Sequence, residues 1–116
     1  MIDKNTPLFA KQQHFALMIP GLIEKAHQLG YRVTLGDAYR DPRAFGLHGK
    51  KVGYSSANSC HKLRLAIDLN LFKDGVFLRE TVNYLQLGLW WEAQGGTWGG
   101  RFDDGNHFSI EHNGSR

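Results

Sequence analysis

The stretch from Leu65 to Phe72 constrains this chain most. Leu65, Ile67, Leu69 and Leu71 fall on one side of a period-two repeat, and Ala66, Asp68, Asn70 and Phe72 fall on the other. That alternation predicts a half-buried strand with an apolar face on the core and a second face carrying Asp68. Asp74-Gly75 follows as a hairpin turn, with Val76-Phe77-Leu78 returning. Residues 107–111 alternate again, with Phe108 and Ile110 on one face and His107, Ser109 and Glu111 on the other.

Helical spacing replaces alternation in residues 8–29, from Phe15 through Met18, Leu22 and Ala26 to Leu29, and Gly30 is a natural stop. Pro20-Gly21 interrupts that run and predicts a kink or two short helices. Residues 31–39 read as a strand, 40–60 as a long irregular loop, and 81–94 as a second helix ended by Gly95-Gly96. The order helix, strand, loop, hairpin, helix, strand predicts an α+β fold with a small, mostly antiparallel sheet packed with helices. A length of 116 residues suits one domain spanning 1–116.

Composition removes several function classes. The single cysteine, Cys60, excludes an internal disulfide, a Cys₄ zinc ribbon and a thiolate-held iron–sulfur cluster. Net charge is +3 with Lys and Arg scattered, the densest run being Lys50-Lys51, so no basic stripe for nucleic acid is expected. The mild positive charge favours contact with anionic polymers such as cell-wall material. No apolar run reaches the roughly 18 residues of a membrane span. Residues 1–5 lack the basic and apolar regions of a signal peptide, so the chain is expected to be made in the cytoplasm and to act elsewhere only after release by another agent. Trp90, Trp91 and Trp98 are expected in the core rather than on a sugar-stacking platform.

Asp68 and His107 both stand on the polar faces of their strands, so if those strands pair with their apolar faces on one core, both side chains emerge on the other face. His61 lies seven residues before Asp68, an odd interval that a straight strand cannot use and a turn can. Two histidines and one carboxylate make the three-ligand set of a catalytic zinc, which keeps a fourth position open. Asp104, three residues before His107, is placed to act as a base beside such a metal, and Arg40 at the mouth of the long loop to stabilise an oxyanion. Cys60 is either a further ligand or a small buried residue, and alternation favours the second. Spacing alone leaves competing readings open: a strand-end histidine is more often structural than a ligand, Asp68 can pair with Arg64, and 103–106 can be a plain turn.

The combination is more specific than its parts. Ser59-Cys60-His61 through Ile67-Asp68, then Trp98-Gly99-Gly100, then Asp104-Gly105-Asn106-His107-Phe108, resembles the M15 peptidases, whose pattern is Ser-x-His-x6-Asp followed by Asp/Glu-x-x-His. These are zinc D-Ala-D-Ala carboxypeptidases and L-alanyl-D-glutamate endopeptidases, including small phage endolysins, with the hedgehog/D-Ala-D-Ala peptidase fold. The resemblance implies Zn²⁺ on His61, Asp68 and His107, a catalytic Asp104 with Asp103 as second choice, a transition-state Arg40, and a supporting Ser59. It implies a peptidoglycan stem peptide as substrate, met by a monomer in a groove that includes loop 41–58. An L-alanyl-D-glutamate endopeptidase of phage or prophage origin, reaching the wall after a separate lysis protein opens the membrane, suits so small a chain. A D,D-carboxypeptidase and a non-catalytic, metal-bearing binding module are the alternatives. Many family members carry Gly where this chain has Arg64, which predicts a different local geometry or a cation near the substrate path.

Overall fold

The computed structural model describes residues 2–39 and 59–116. Arg40 and the loop 41–58 lie outside the described residues. Helix α1 spans Leu8–Gln28 and α2 spans Leu85–Ala93. Strands β1 (Arg32–Leu35), β2 (Ala66–Lys73), β3 (Val76–Phe77), β4 (Thr97–Trp98) and β5 (His107–Ser109) form one antiparallel sheet. The sheet runs β1-β2-β5-β4, with β3 sharing the β5 edge of β2 at its far end. The expected α+β architecture is therefore the observed one.

The long strand β2 organises the sheet because its apolar side is continuous: Leu65, Leu69 and Leu71 are fully buried and Ile67 nearly so. Leu22 and Ala26 of α1 and Leu87 and Trp91 of α2 join the core. Trp91 meets the rings of Phe15 and Phe108 edge-on, each with centroids 6.1 Å apart. Trp91 and Trp98 are core residues as expected, and each indole N–H is satisfied inside, by the carbonyls of Ser109 and Gly105.

Several boundaries differ from the sequence reading, each for a physical reason. Pro20 does not split the first helix; α1 runs through it as a single element of 21 residues. Proline forfeits one helical hydrogen bond, but the buried stripe Lys11, Phe15, Leu22 and Ala26 crosses position 20 and anchors both halves to the same core. The strand expected over 31–39 is limited to β1, although Gly36 N–H still donates to the Asp68 carbonyl at 2.8 Å. The second helix starts as a 3₁₀ turn, Thr81–Tyr84, behind a reciprocal cap between Glu80 and Asn83. Strand β4 was not anticipated, and β5 ends at Ser109 rather than 111. The hairpin is as expected: Asp74 (φ 51°) and Gly75 (φ 78°) both take the left-handed backbone of a type I′ turn.

Between β5 and β3 the edge of β2 would expose backbone groups. Leu69 N–H is taken by the Asn106 carbonyl at 2.8 Å. The Tyr84 hydroxyl accepts from Leu71 N–H at 3.1 Å and donates to the Leu78 carbonyl at 2.8 Å, stitching the gap. Burial pushes the Tyr84 phenol above its ordinary pKa, which suits a donor that never ionises.

Candidate metal centre

The site begins with a tight reversal. Ser59 caps the 3₁₀ turn Cys60–Leu63, its hydroxyl accepting from His61 N–H at 3.2 Å. Arg64 then takes the left-handed backbone (φ 58°, ψ 34°), and Leu65 N–H returns to the Cys60 carbonyl at 3.0 Å. This is the turn that the odd interval between His61 and Asp68 required. Arg64 thus takes the left-handed backbone that glycine adopts most readily. Its guanidinium lies 4.2 Å from the centre of the Tyr39 ring, and not on Asp68.

Antiparallel pairing of β2 and β5 sets Asp68 directly opposite His107. His61 Nε2 lies 3.0 Å from Asp68 Oδ1, His107 Nδ1 lies 3.2 Å from His61 Nε2, and His107 Nδ1 lies 3.8 Å from Asp68 Oδ1. The three are brought together as the sequence suggested, with one atom of each within 4.8 Å of the others. For bonds of about 2.0–2.1 Å, the donors of a tetrahedral zinc stand about 3.3 Å apart, which these spacings bracket.

The chemistry of the set points the same way. His61 Nδ1 faces the Ala38 carbonyl at 3.0 Å. A carbonyl only accepts, so Nδ1 carries the proton and Nε2 presents a lone pair to Asp68 and His107. Lone pairs at these distances repel one another unless a proton or a cation sits among them, and the residue types and spacing fit a divalent metal there. A hydrogen bond behind the ligand that fixes its tautomer is the usual support of a metal-bound histidine.

The sequence placed His107 on the strand face away from the core and His61 at a turn before β2; both are buried, at 1% exposure for His61 and 3% for His107. The segment after β4 packs against His107. Phe102 brings its ring to 5.5 Å from that of His107. Gly99 lets the chain pass so close that a side chain there would collide with the Asp104 carbonyl and His107 Cβ. Gly36, one residue past β1, also approaches Asp68 closely: an added Cβ there would lie 2.9 Å from Asp68 Cβ. Of the four groups, only Asp104 is substantially open, with half its side chain exposed and Oδ2 3.8 Å from His107 Nδ1. Its backbone is held by a bond from its N–H to the Gly99 carbonyl at 2.9 Å, and its own carbonyl accepts from His107 N–H at 3.1 Å. Among the described residues, the carboxylates within 4 Å of His107 are those of Asp68 and Asp104, so Asp103 is not placed there.

Cys60 points away. It is fully buried, its thiol donates to the Ile110 carbonyl at 3.5 Å, and burial first, then the Glu111 charge, pushes its pKa up to about 12. It is a small core residue as expected, turned aside by the 3₁₀ geometry rather than by strand alternation. Two features escaped the sequence reading. The Asn106 side-chain amide donates to Asn70 Oδ1 at 2.9 Å on the same face of β2 as Asp68. Arg79 reaches the neighbourhood of Asp104 through the hairpin. Asn70 was legible, two residues after Asp68 in the alternating strand; Arg79 carried no pattern.

Comparison with known families matches residues 53–110 to an M15 peptidase model described as D-alanyl-D-alanine carboxypeptidase. The matched half of the chain holds Ser59, His61, Asp68, Asp104 and His107, and begins beyond Arg40. No curated protein matches the chain.

Proposed function

The chain belongs to the M15 peptidases, and we propose that it is a zinc-dependent hydrolase of peptidoglycan stem peptides, acting as an endolysin-type L-alanyl-D-glutamate endopeptidase. The observation that carries this is the convergence of His61 Nε2, Asp68 Oδ1 and His107 Nδ1, three potential metal-ligand atoms, beside a solvent-open carboxylate. His61 Nε2, Asp68 Oδ1 and His107 Nδ1 would hold Zn²⁺, which when bound supplies Lewis acidity, acidifying a water to a pKa near 7 and polarising the scissile carbonyl.

The protein's own part is proton management and positioning. Asp104 accepts a proton from the attacking water as its oxygen bonds to the carbonyl carbon. As the C–N bond breaks, Asp104 returns that proton to the leaving amine. Burial of both histidines keeps their orientation fixed while the exposed base can reach substrate. Arg40 is assigned the oxyanion, and loop 41–58 a wall of the groove, from the family resemblance. The monomeric state and action on the wall after release by a separate lysis protein belong to the same proposal.

The description of the matching family favours one second reading, removal of a terminal D-alanine. Digestion of muropeptides followed by mass analysis separates the two: loss of one alanine identifies the carboxypeptidase, and release of an L-Ala terminus from D-Glu the endopeptidase. Asp104→Asn is expected to keep one zinc per chain while kcat falls about 10²–10⁴-fold, the usual weight of a general acid–base. Unchanged turnover would remove Asp104 from the mechanism, and bound zinc without turnover in the unmodified protein would favour a binding module.

A further inference from the structure

Arg79 lines a cleft of about 160 Å³ together with Asp104, Asp103, Asn106 and Thr81. At roughly 30 Å³ per water, that space holds about five waters, or the backbone end of one amino acid. The chain on either side of Arg79 is pinned. Leu78 N–H donates to the Leu71 carbonyl at 2.9 Å, extending the hairpin, and Glu80 N–H donates to Asn83 Oδ1 at 3.1 Å. The guanidinium carbon stands 5.4 Å from the centre of the Phe77 ring, which packs on Phe72 with centroids 5.4 Å apart. Among the described residues Arg79 forms no ion pair, although two aspartates line the same cleft.

We propose that Arg79 is a specificity-determining residue that binds the α-carboxylate of the leaving residue of the peptide substrate. The inference rests on the peptidase reading above. Asp104 delivers a proton to the leaving amine, so the leaving residue must enter the cleft that Asp104 lines. In both candidate bonds that residue carries an α-carboxylate on the carbon next to the scissile nitrogen: the D-Glu of an L-Ala–D-Glu link joined through its γ-carboxyl, and the terminal D-Ala of D-Ala–D-Ala. An anion brought next to Asp103 and Asp104 is repelled unless a cation faces it, and a guanidinium offers the planar two-pronged donor that a carboxylate fits. Stacking on Phe77 holds the fork without consuming its donors.

The test uses the zinc-loaded full chain and two peptides that contain L-Ala–γ-D-Glu, one with the glutamyl α-carboxylate free and one with it amidated. The unmodified protein is expected to prefer the free acid in kcat/KM by about tenfold or more, the weight of a charge-assisted hydrogen bond. Arg79→Ala should erase that preference, acting mainly through KM on the free acid and leaving the amidated peptide within about twofold, and Arg79→Lys should restore part of it. Equal losses on both peptides, or no change on either, would overturn the proposal. If the unmodified protein cuts neither of these peptides nor a D-Ala–D-Ala one, the peptidase reading falls and takes this proposal with it. Should it cut only D-Ala–D-Ala, the same comparison is made with the terminal carboxylate free or amidated.

Discussion

Cys60 and His61 are neighbours in one 3₁₀ turn, yet they face two polar clusters of opposite character. On the His61 side, Nε2 of His61, Nδ1 of His107 and Oδ1 of Asp68 come together within 3.8 Å of one another. On the Cys60 side, the buried Lys11 ammonium lies 3.0 Å from His112 Nδ1, with Glu111 close enough to act on the thiol. Lysine only donates, so the His112 nitrogen accepts. Both clusters hold histidine in a half-buried or buried setting. The difference is that one pairs its histidine with a lysine ammonium, while the other gathers three potential metal-ligand atoms. Histidine burial alone therefore does not mark a candidate metal centre; the types and spacing of its neighbours do.

The largest expected effect breaks this contrast at the metal side. Zinc at about 1,000 times its Kd should stabilise the protein by about 4 kcal/mol, raising Tm by more than about 10 °C in a domain of this size. His107→Ala should abolish both the shift and stoichiometric zinc, read by thermal denaturation and metal analysis. An equal zinc shift in the variant would show that the ion binds elsewhere.

The next effect is smaller and of a different kind. His112→Ala takes the acceptor from the Lys11 ammonium, which stays buried in α1, and should cost about 1–3 kcal/mol of unfolding free energy. Zinc content and the zinc-induced rise in Tm should be unchanged. Denaturant titration with and without zinc measures both, and loss of zinc in this variant would mean that the two clusters are one network.

What could be read from residues follows the same division. That Asp68 and His107 share a face was legible because strand alternation is geometric, whereas the register that sets them directly opposite one another was not. The interval from His61 called for a turn, and Ser59 and Arg64 build it. Burial of the site was not legible, since it depends on Gly99 and Phe102 folding back over His107, a contact that no local pattern announces. Pro20 misled because helix-breaking is a local property, while the stripe from Lys11 to Ala26 that overrides it is set by the core. β4 was missed because two residues between glycines and a 3₁₀ turn carry no periodicity; pairing with β5 makes them a strand. Arg40, His48 and loop 41–58 lie outside the described residues.

The smallest effect sharpens the comparison at the junction of the two clusters, where Arg64 ends the shared turn. A left-handed backbone costs a non-glycine residue about 1–2 kcal/mol. Arg64→Gly removes that strain but adds about 0.5–1 kcal/mol of unfolded-state freedom and loses a stacking on Tyr39 of about 0.5–1 kcal/mol. The sum should leave stability within about 0.5 kcal/mol of the parent. Arg64→Ala keeps the strain and loses the stacking, so it should be the less stable of the two by about 1 kcal/mol. Neither should alter zinc content, because Ser59 and the Leu65 N–H bond to the Cys60 carbonyl hold the His61 turn without the Arg64 side chain. Should Arg64→Gly instead lose zinc while keeping its fold, the guanidinium and Tyr39 would be orienting His61 through the neighbouring Ala38 carbonyl, and the turn alone would not define the metal centre.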